Sequence, residues 1–96
     1  MAYFIRLVRF TPEGLKEIKQ FRARRAEFLE QAKKLRISIV AEFVTSGSYN
    51  LVTILEAPNL DVILQFSAIA WSKGRTTIET LGAVRAEDFE RIVDSI

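Results

Sequence analysis

The chain has 96 residues, of which 49% are hydrophobic and 27% are charged, and its net charge is +2. This composition is typical of one globular domain over residues 1–96, and no apolar run reaches the roughly 20 residues that cross a bilayer. The chain has no cysteine and no histidine, which excludes disulfides, thiolate nucleophiles, Cys/His zinc sites and a histidine base, so we expect no metal and no cofactor.

Residue patterns predict four strands and two long helices in the order βαββαβ, followed by a short helix. Thr11 and Pro12 are typical of a helix start, and Asn59 after Pro58 is typical of another. Gly47, between two serines, predicts a tight hairpin with a positive φ. The predicted strands cover residues 3–10, 37–45, 49–56 and 75–84, and the predicted helices run from 11 to about 35, from 59 to 72 and from 86 to 95.

This order indicates an α+β chain with a ferredoxin-like fold. We expect a four-stranded antiparallel sheet of order 4-1-3-2, with both long helices on one face. Strict alternation along the strands then predicts which side chains lie under the helices. That set is Tyr3, Ile5, Leu7, Ile37, Ile39, Ala41, Phe43, Leu51, Thr53, Leu55 and Ile78.

The opposite face of the predicted sheet is also largely apolar, which a soluble monomer rarely leaves uncovered. We therefore expect a homodimer in which two sheets pack face to face, a dimeric α/β barrel. The predicted outer set is Phe4, Arg6, Val8, Phe10, Val40, Glu42, Val44, Asn50, Val52, Ile54, Glu56, Thr77, Glu79 and Leu81.

Polar groups on that second face are the candidate binding residues, because buried charges must be paired or line a wet cavity. They fit three interpretations: ion pairs that fix the dimer, a cavity for a small molecule, or proton transfer by a glutamate. Arg25, which falls within the apolar stripe of the first helix, either extends into solvent or points into a crevice. The candidate set is Arg6, Glu42, Asn50, Glu56 and Glu79 from this face, together with Tyr49 at the start of the third strand, whose hydroxyl either reaches the turn or faces a ligand at the mouth of the barrel.

Charge is distributed unevenly along the chain. Up to Arg36 there are ten basic and four acidic residues, whereas the remainder has four basic and eight acidic ones. Acidic residues are interleaved with the basic ones and no aromatic platform accompanies them, so the solvated face of a helix explains them better than a nucleic-acid surface. We expect no membrane partner and a cytoplasmic location, because Arg6 and Arg9 make the N-terminal stretch a poor signal peptide.

The segment Gly47-Ser48-Tyr49-Asn50-Leu51-Val52, with its continuation to Glu56-Ala57-Pro58-Asn59, resembles the signature of the GYD-domain family of small proteins without a settled biochemical role. Phe10-Thr11, Arg24-Arg25, Glu42-Phe43 and Thr80-Leu81-Gly82-Ala83 extend the resemblance over most of the chain. Asn50 replaces an aspartate of the family pattern, and Thr77 replaces an expected basic residue.

Three functions remain open at this point. The first is a homodimer that binds a small molecule between its two sheets. The second is a cofactor-free oxygenase, isomerase or dehydratase, which would need Glu42, Glu56, Glu79 or a tyrosine as its titrating group, so enzymatic activity is undecided. The third is an assembly or regulatory module that uses the second long helix and Trp71 as its contact surface.

Overall fold

The computed structural model describes residues 1–96, and its elements follow the predicted order. The helices follow the strands in the predicted order, except that the first predicted helix is divided into two. The elements are β1 (Ala2–Phe10), α1 (Pro12–Lys16), a 3-10 turn (Ile18–Gln20), α2 (Phe21–Lys34), β2 (Ser38–Val44), β3 (Leu51–Ala57), α3 (Leu60–Trp71), β4 (Thr76–Ala83) and α4 (Ala86–Asp94).

The four strands form one antiparallel sheet of order β2-β3-β1-β4, which is the predicted order read from the other edge. The central pair is in a register that places Phe4 opposite Leu55 and Arg6 opposite Thr53. The α+β, ferredoxin-like prediction is confirmed. No helix has both the length and the apolar character to cross a membrane.

The predicted helix starts are confirmed. The side chain of Thr11 accepts a hydrogen bond from the backbone N–H of Gly14 at 3.1 Å, and Asn59 Oδ1 accepts one from Val62 N–H at 3.0 Å. Such caps satisfy N–H groups that have no partner within the first helical turn.

The prediction of one continuous first helix is wrong. The N–H of Glu17 donates to Gly14, three residues back, and this tighter turn ends α1 before α2 begins. Gly14 is buried so close to the backbone of Arg75 that a Cβ on it would lie 2.1 Å from the Arg75 oxygen. This contact fixes α1 against the start of β4, so α2 must begin along a new path.

The expectation for Gly47 is also wrong. The only residues with positive φ are Arg36, at 60°, and Gly74, at 67°. The link from β2 to β3 spans six residues and is closed by a 2.9 Å hydrogen bond from Thr45 N–H to the Asn50 carbonyl. A loop of this length turns the chain without the mirror-image geometry of a two-residue hairpin.

The hydrophobic core lies between the helices and one face of the sheet. Its centre is formed by Phe4 and Leu55 from the sheet and by Ile63 and Phe66 from α3. Ala32 of α2 packs against the same cluster. The placement of Thr53 and Leu55 under the helices is confirmed, since both are almost fully buried.

The face assignment of β1 is reversed in the structure. Phe4, Arg6 and Val8 lie under the helices and are buried, whereas Tyr3, Ile5 and Leu7 are only half-buried on the other side. Both sides of β1 are rich in apolar residues, so alternation alone could not choose between them. The charge of Arg6 made the wrong side look like the outer one.

In β2 the face assignment changes partway along the strand. A bulge between Ile39 and Ala41 shifts the pairing, so Glu42 lies opposite Thr53 and Phe43 lies opposite Val52. An extra residue in a strand moves every following side chain to the other face. Glu42 is therefore on the helix side and Phe43 on the outer side, contrary to the prediction.

Candidate functional site: a crevice between helices and sheet

A crevice lies between the sheet and the helices α2 and α3, with a cavity of about 150 Å³. Cavities of roughly this volume accommodate a benzene ring. Its apolar walls come from both layers of the fold. They include Val8, Leu51 and Ile78 from the sheet and Phe28, Phe66 and Ile69 from the helices.

Arg6 is the most unusual residue of this crevice. It is only 3% exposed, and its guanidinium carbon lies 4.6 Å from the ring centre of Phe66 and 5.6 Å from that of Phe28. Its Nε is buried without a hydrogen-bond partner, and none of the ion pairs in the structure includes Arg6. Burial lowers the pKa of Arg6 to about 10, against the opposing effect of the negative charge of Glu42.

Glu42 lies in the same crevice and has partners for both of its oxygens. Its Oε1 accepts a hydrogen bond from Arg25 Nε at 2.7 Å, and its Oε2 accepts one from Thr53 Oγ1 at 3.1 Å. The Glu42 side chain is 9% exposed, whereas that of Arg25 is 44% exposed. Of the two alternatives for Arg25, the structure shows the one in which it reaches the crevice.

More cations surround the crevice, and they share one carboxylate. Glu27 pairs with Arg24 at 3.1 Å, with Lys73 at 3.3 Å and with Arg75 at 3.4 Å. The hydrogen bond from Lys73 is the main reason why the pKa of Glu27 is lowered. With Arg6 and Arg25, five cations and only two carboxylates line the crevice, which is therefore electropositive.

Two of the predicted site residues lie together on the outer face of the sheet. The hydroxyl of Tyr49 donates a 2.6 Å hydrogen bond to Glu79 Oε2, and this bond raises the pKa of Tyr49. The Arg9 guanidinium lies 4.5 Å from the centre of the Tyr49 ring, and its Nε donates to the Ser48 carbonyl. This cluster is separated from Arg6 and Glu42 by the thickness of the sheet.

The remaining two predicted residues do not reach the crevice. Asn50 Oδ1 accepts a hydrogen bond from the N–H of Phe10 at 2.8 Å, and its own N–H donates to the Val8 carbonyl. Glu56 lies opposite Tyr3 on the outer side of the sheet. The sequence thus selected two crevice residues, Arg6 and Glu42, and four residues that lie elsewhere.

Sequence reasoning missed several residues of the crevice. Phe28 belongs to the apolar stripe of α2 and Phe66 to that of α3, a pattern typical of any core helix. Lys73 and Arg75 flank Gly74 at the end of α3. That pair of cations before β4 was the one signal that could have pointed to this end of the crevice.

The family model for the GYD domain matches residues 4–93 of the chain. The chain belongs to the GYD-domain family. The match includes β1, which carries Arg6, and all other elements that line the crevice of this GYD-domain protein.

Neither a comparison with curated proteins nor one with solved structures found a match. Within the family signature, Asn50 forms a hydrogen bond between strand ends and does not line the crevice, whereas Leu51 and Thr53 do. An aspartate at this position can accept the same bond from Phe10 N–H, since a carboxylate oxygen is also an acceptor.

Proposed function

We propose that this GYD-domain protein is a homodimer that binds one small molecule per chain, in the crevice between helices and sheet. The observation that carries the proposal is a cavity with apolar walls and buried polar groups of Arg6, Glu42 and Thr53. Small-molecule sites combine these two properties, since apolar walls supply affinity and a few fixed polar groups supply orientation. The ligand is placed on the helix side of the sheet, and not between two sheets, because Arg6 and Glu42 lie there.

The charge of Arg6 supports a binding function more than a structural one. A buried charge without a hydrogen-bonded partner destabilises a fold, and an apolar side chain of similar size would pack there at lower cost. Groups that reduce stability are commonly retained where they serve function. Glu42, by contrast, has partners in Arg25 and Thr53 that account for its position.

The proposal is tested by placing a phenylalanine at one of two nearby alanines of α3, of which only one points towards the crevice. Ala70 lines the crevice, whereas Ala68 is exposed on another side of the helix. We expect phenol, benzamide or benzoate to bind the wild-type chain in an NMR titration. Ala70→Phe should abolish this binding, and Ala68→Phe should preserve it.

Circular dichroism of both variants verifies that each is folded before binding is compared. Binding that survives Ala70→Phe unchanged would place the ligand outside the crevice and overturn the proposal. Failure of all three compounds to bind the wild-type chain at millimolar concentration would do the same.

The homodimer is supported by the outer face of the sheet. Phe43 is 59% exposed there, and none of its other apolar side chains is fully buried within the chain. A contiguous apolar surface of this kind marks an interface in soluble proteins. Its apolar members are Tyr3, Ile5, Leu7, Ala41, Phe43, Val52, Ile54 and Leu81.

Helix α4 gives a second reason to propose a second copy. Phe89, Ile92 and Val93 are spaced as one stripe of α4, yet each of them is exposed. An amphipathic helix gains most of its stability from packing its apolar side against another element. In a two-fold dimer each chain supplies such a surface to the other, so one symmetric interface can cover the sheet and α4.

Light scattering after size exclusion tests the dimer with two matched substitutions. We expect a mass of about twice the 11.0 kDa chain for the wild type. Phe43→Glu on the outer face should yield monomers, whereas Leu64→Glu, which changes an exposed leucine of α3, should leave the dimer intact. Dissociation by Leu64→Glu alone would favour an assembly module that uses α3 and Trp71 instead.

A further inference from the structure

Arg6 also determines which class of ligand fits the crevice. Its Nε is sealed from solvent and has no acceptor within the chain, although the guanidinium is a strong, planar donor. In the structure Glu42 accepts hydrogen bonds from Arg25 and Thr53 and none from Arg6. A ligand acceptor is thus the group that the site lacks.

The surroundings of Arg6 indicate the rest of the ligand. Phe28 and Phe66 lie beside the guanidinium with their ring centres 5.2 Å apart, and the other apolar lining residues are aliphatic or, at Phe10 and Phe21, aromatic. An apolar body of about one ring fits a cavity of 150 Å³. Polyanions fit less well, because the other cations already pair with Glu27, Glu42 or Glu17.

We propose that the ligand is a small organic monoanion, with a compact apolar body in the crevice and a carboxylate or similar acid group bound to Arg6. This inference rests on the proposed function and adds the chemical class of the ligand. Charge-assisted bonds between a guanidinium and a carboxylate are shorter and about twice as strong as neutral ones. The surplus of positive charge among the lining residues attracts such an anion as well.

The test compares benzoate with benzamide, which has the same ring and nearly the same shape but no charge. Calorimetric or NMR titration at pH 7 should show benzoate binding the wild-type chain at least tenfold more tightly. Arg6→Met should remove this preference, so that benzoate and benzamide bind the variant with similar affinity. Arg22→Met, which removes an exposed arginine of α2, should retain the preference.

A second variant, Arg6→Lys, keeps the positive charge and allows the test to be made if Arg6→Met does not fold. It should retain part of the preference for benzoate, since only the planar fork of donors is lost. Equal binding of benzoate and benzamide in the crevice overturns this inference and leaves the proposed function standing. Failure of phenol, benzamide and benzoate alike to bind there overturns the proposed function itself, and a preference that persists in Arg6→Met assigns the anion to another cation.

Discussion

We predict that Arg6 lowers the stability of the fold in which it is buried. Burial lowers its pKa to about 10, because the charged form loses hydration. At about 1.4 kcal/mol per pKa unit, the lowered pKa corresponds to a loss of a few kcal/mol in the free energy of unfolding at neutral pH. We predict that Arg6→Met raises the free energy of unfolding by about 1–3 kcal/mol, measured by urea denaturation. Arg9→Met, on the exposed side of the same strand, should not raise stability.

The stability gain from Arg6→Met should depend on pH. Above about pH 10 the folded chain releases the Arg6 proton while the unfolded chain still retains it, so the penalty is complete below about pH 10 and shrinks as the pH rises further. The difference between wild type and Arg6→Met should therefore narrow above about pH 10. If the difference in stability between wild type and Arg6→Met stayed constant up to pH 11, burial would not disfavour the charged form of Arg6.

Asn50 has a structural role that aspartate can share. Its side chain binds the N–H of Phe10, and an unpaired buried N–H costs about 1–3 kcal/mol. We predict that Asn50→Ala lowers the unfolding free energy by about 1–2 kcal/mol, whereas Asn50→Asp changes it by less than about 1 kcal/mol. Ligand binding should survive in Asn50→Asp, and its loss there would show that position 50 takes part in the site.

At the scale of single residues, the sequence selected Arg6 and Glu42, which share the crevice, but placed them on the wrong side of the sheet. Charged residues in apolar strands can be recognised from the chain alone. Their side of the sheet depends on register and on the bulge before Ala41, which alternation does not reveal.

At the scale of elements, the strands and helix starts could be predicted because caps, prolines and β-branched runs are local signals. The break between α1 and α2 could not, since it depends on a contact between Gly14 and Arg75, 61 residues later in the chain. A side chain added at Gly14 would clash at that contact, and the effect on stability can be measured.

We predict that Gly14→Ala destabilises the protein by more than about 2 kcal/mol, because its Cβ would lie 2.1 Å from the Arg75 backbone oxygen. For a domain of this size, each kcal/mol lowers the melting temperature by about 4–8 °C. Gly47→Ala is the control, since nothing lies within 4 Å of an added Cβ and its φ is not positive. Similar melting temperatures for the two variants would argue against the tight packing of α1 on β4.

At the scale of the whole molecule, the order of the sheet could be predicted from the βαββαβ pattern, whereas the position of the site could not. The sequence placed the ligand between two sheets because both sheet faces are apolar. The structure separates the two surfaces: the helix side contains the crevice with Arg6, and the outer side contains Phe43 and the Tyr49–Glu79 pair. In the proposed dimer, ligand binding and dimerisation use opposite sides of one sheet.

The most direct test of this proposed division is an amide NMR titration of the protein with benzoate. The account predicts that the largest shift changes occur at Arg6, Thr53 and Phe66, which line the crevice. It predicts small changes at Ile5 and Ile54, which lie on the outer face of the same strands. Changes concentrated at Ile5 and Ile54 would place the ligand between the two sheets and contradict the account.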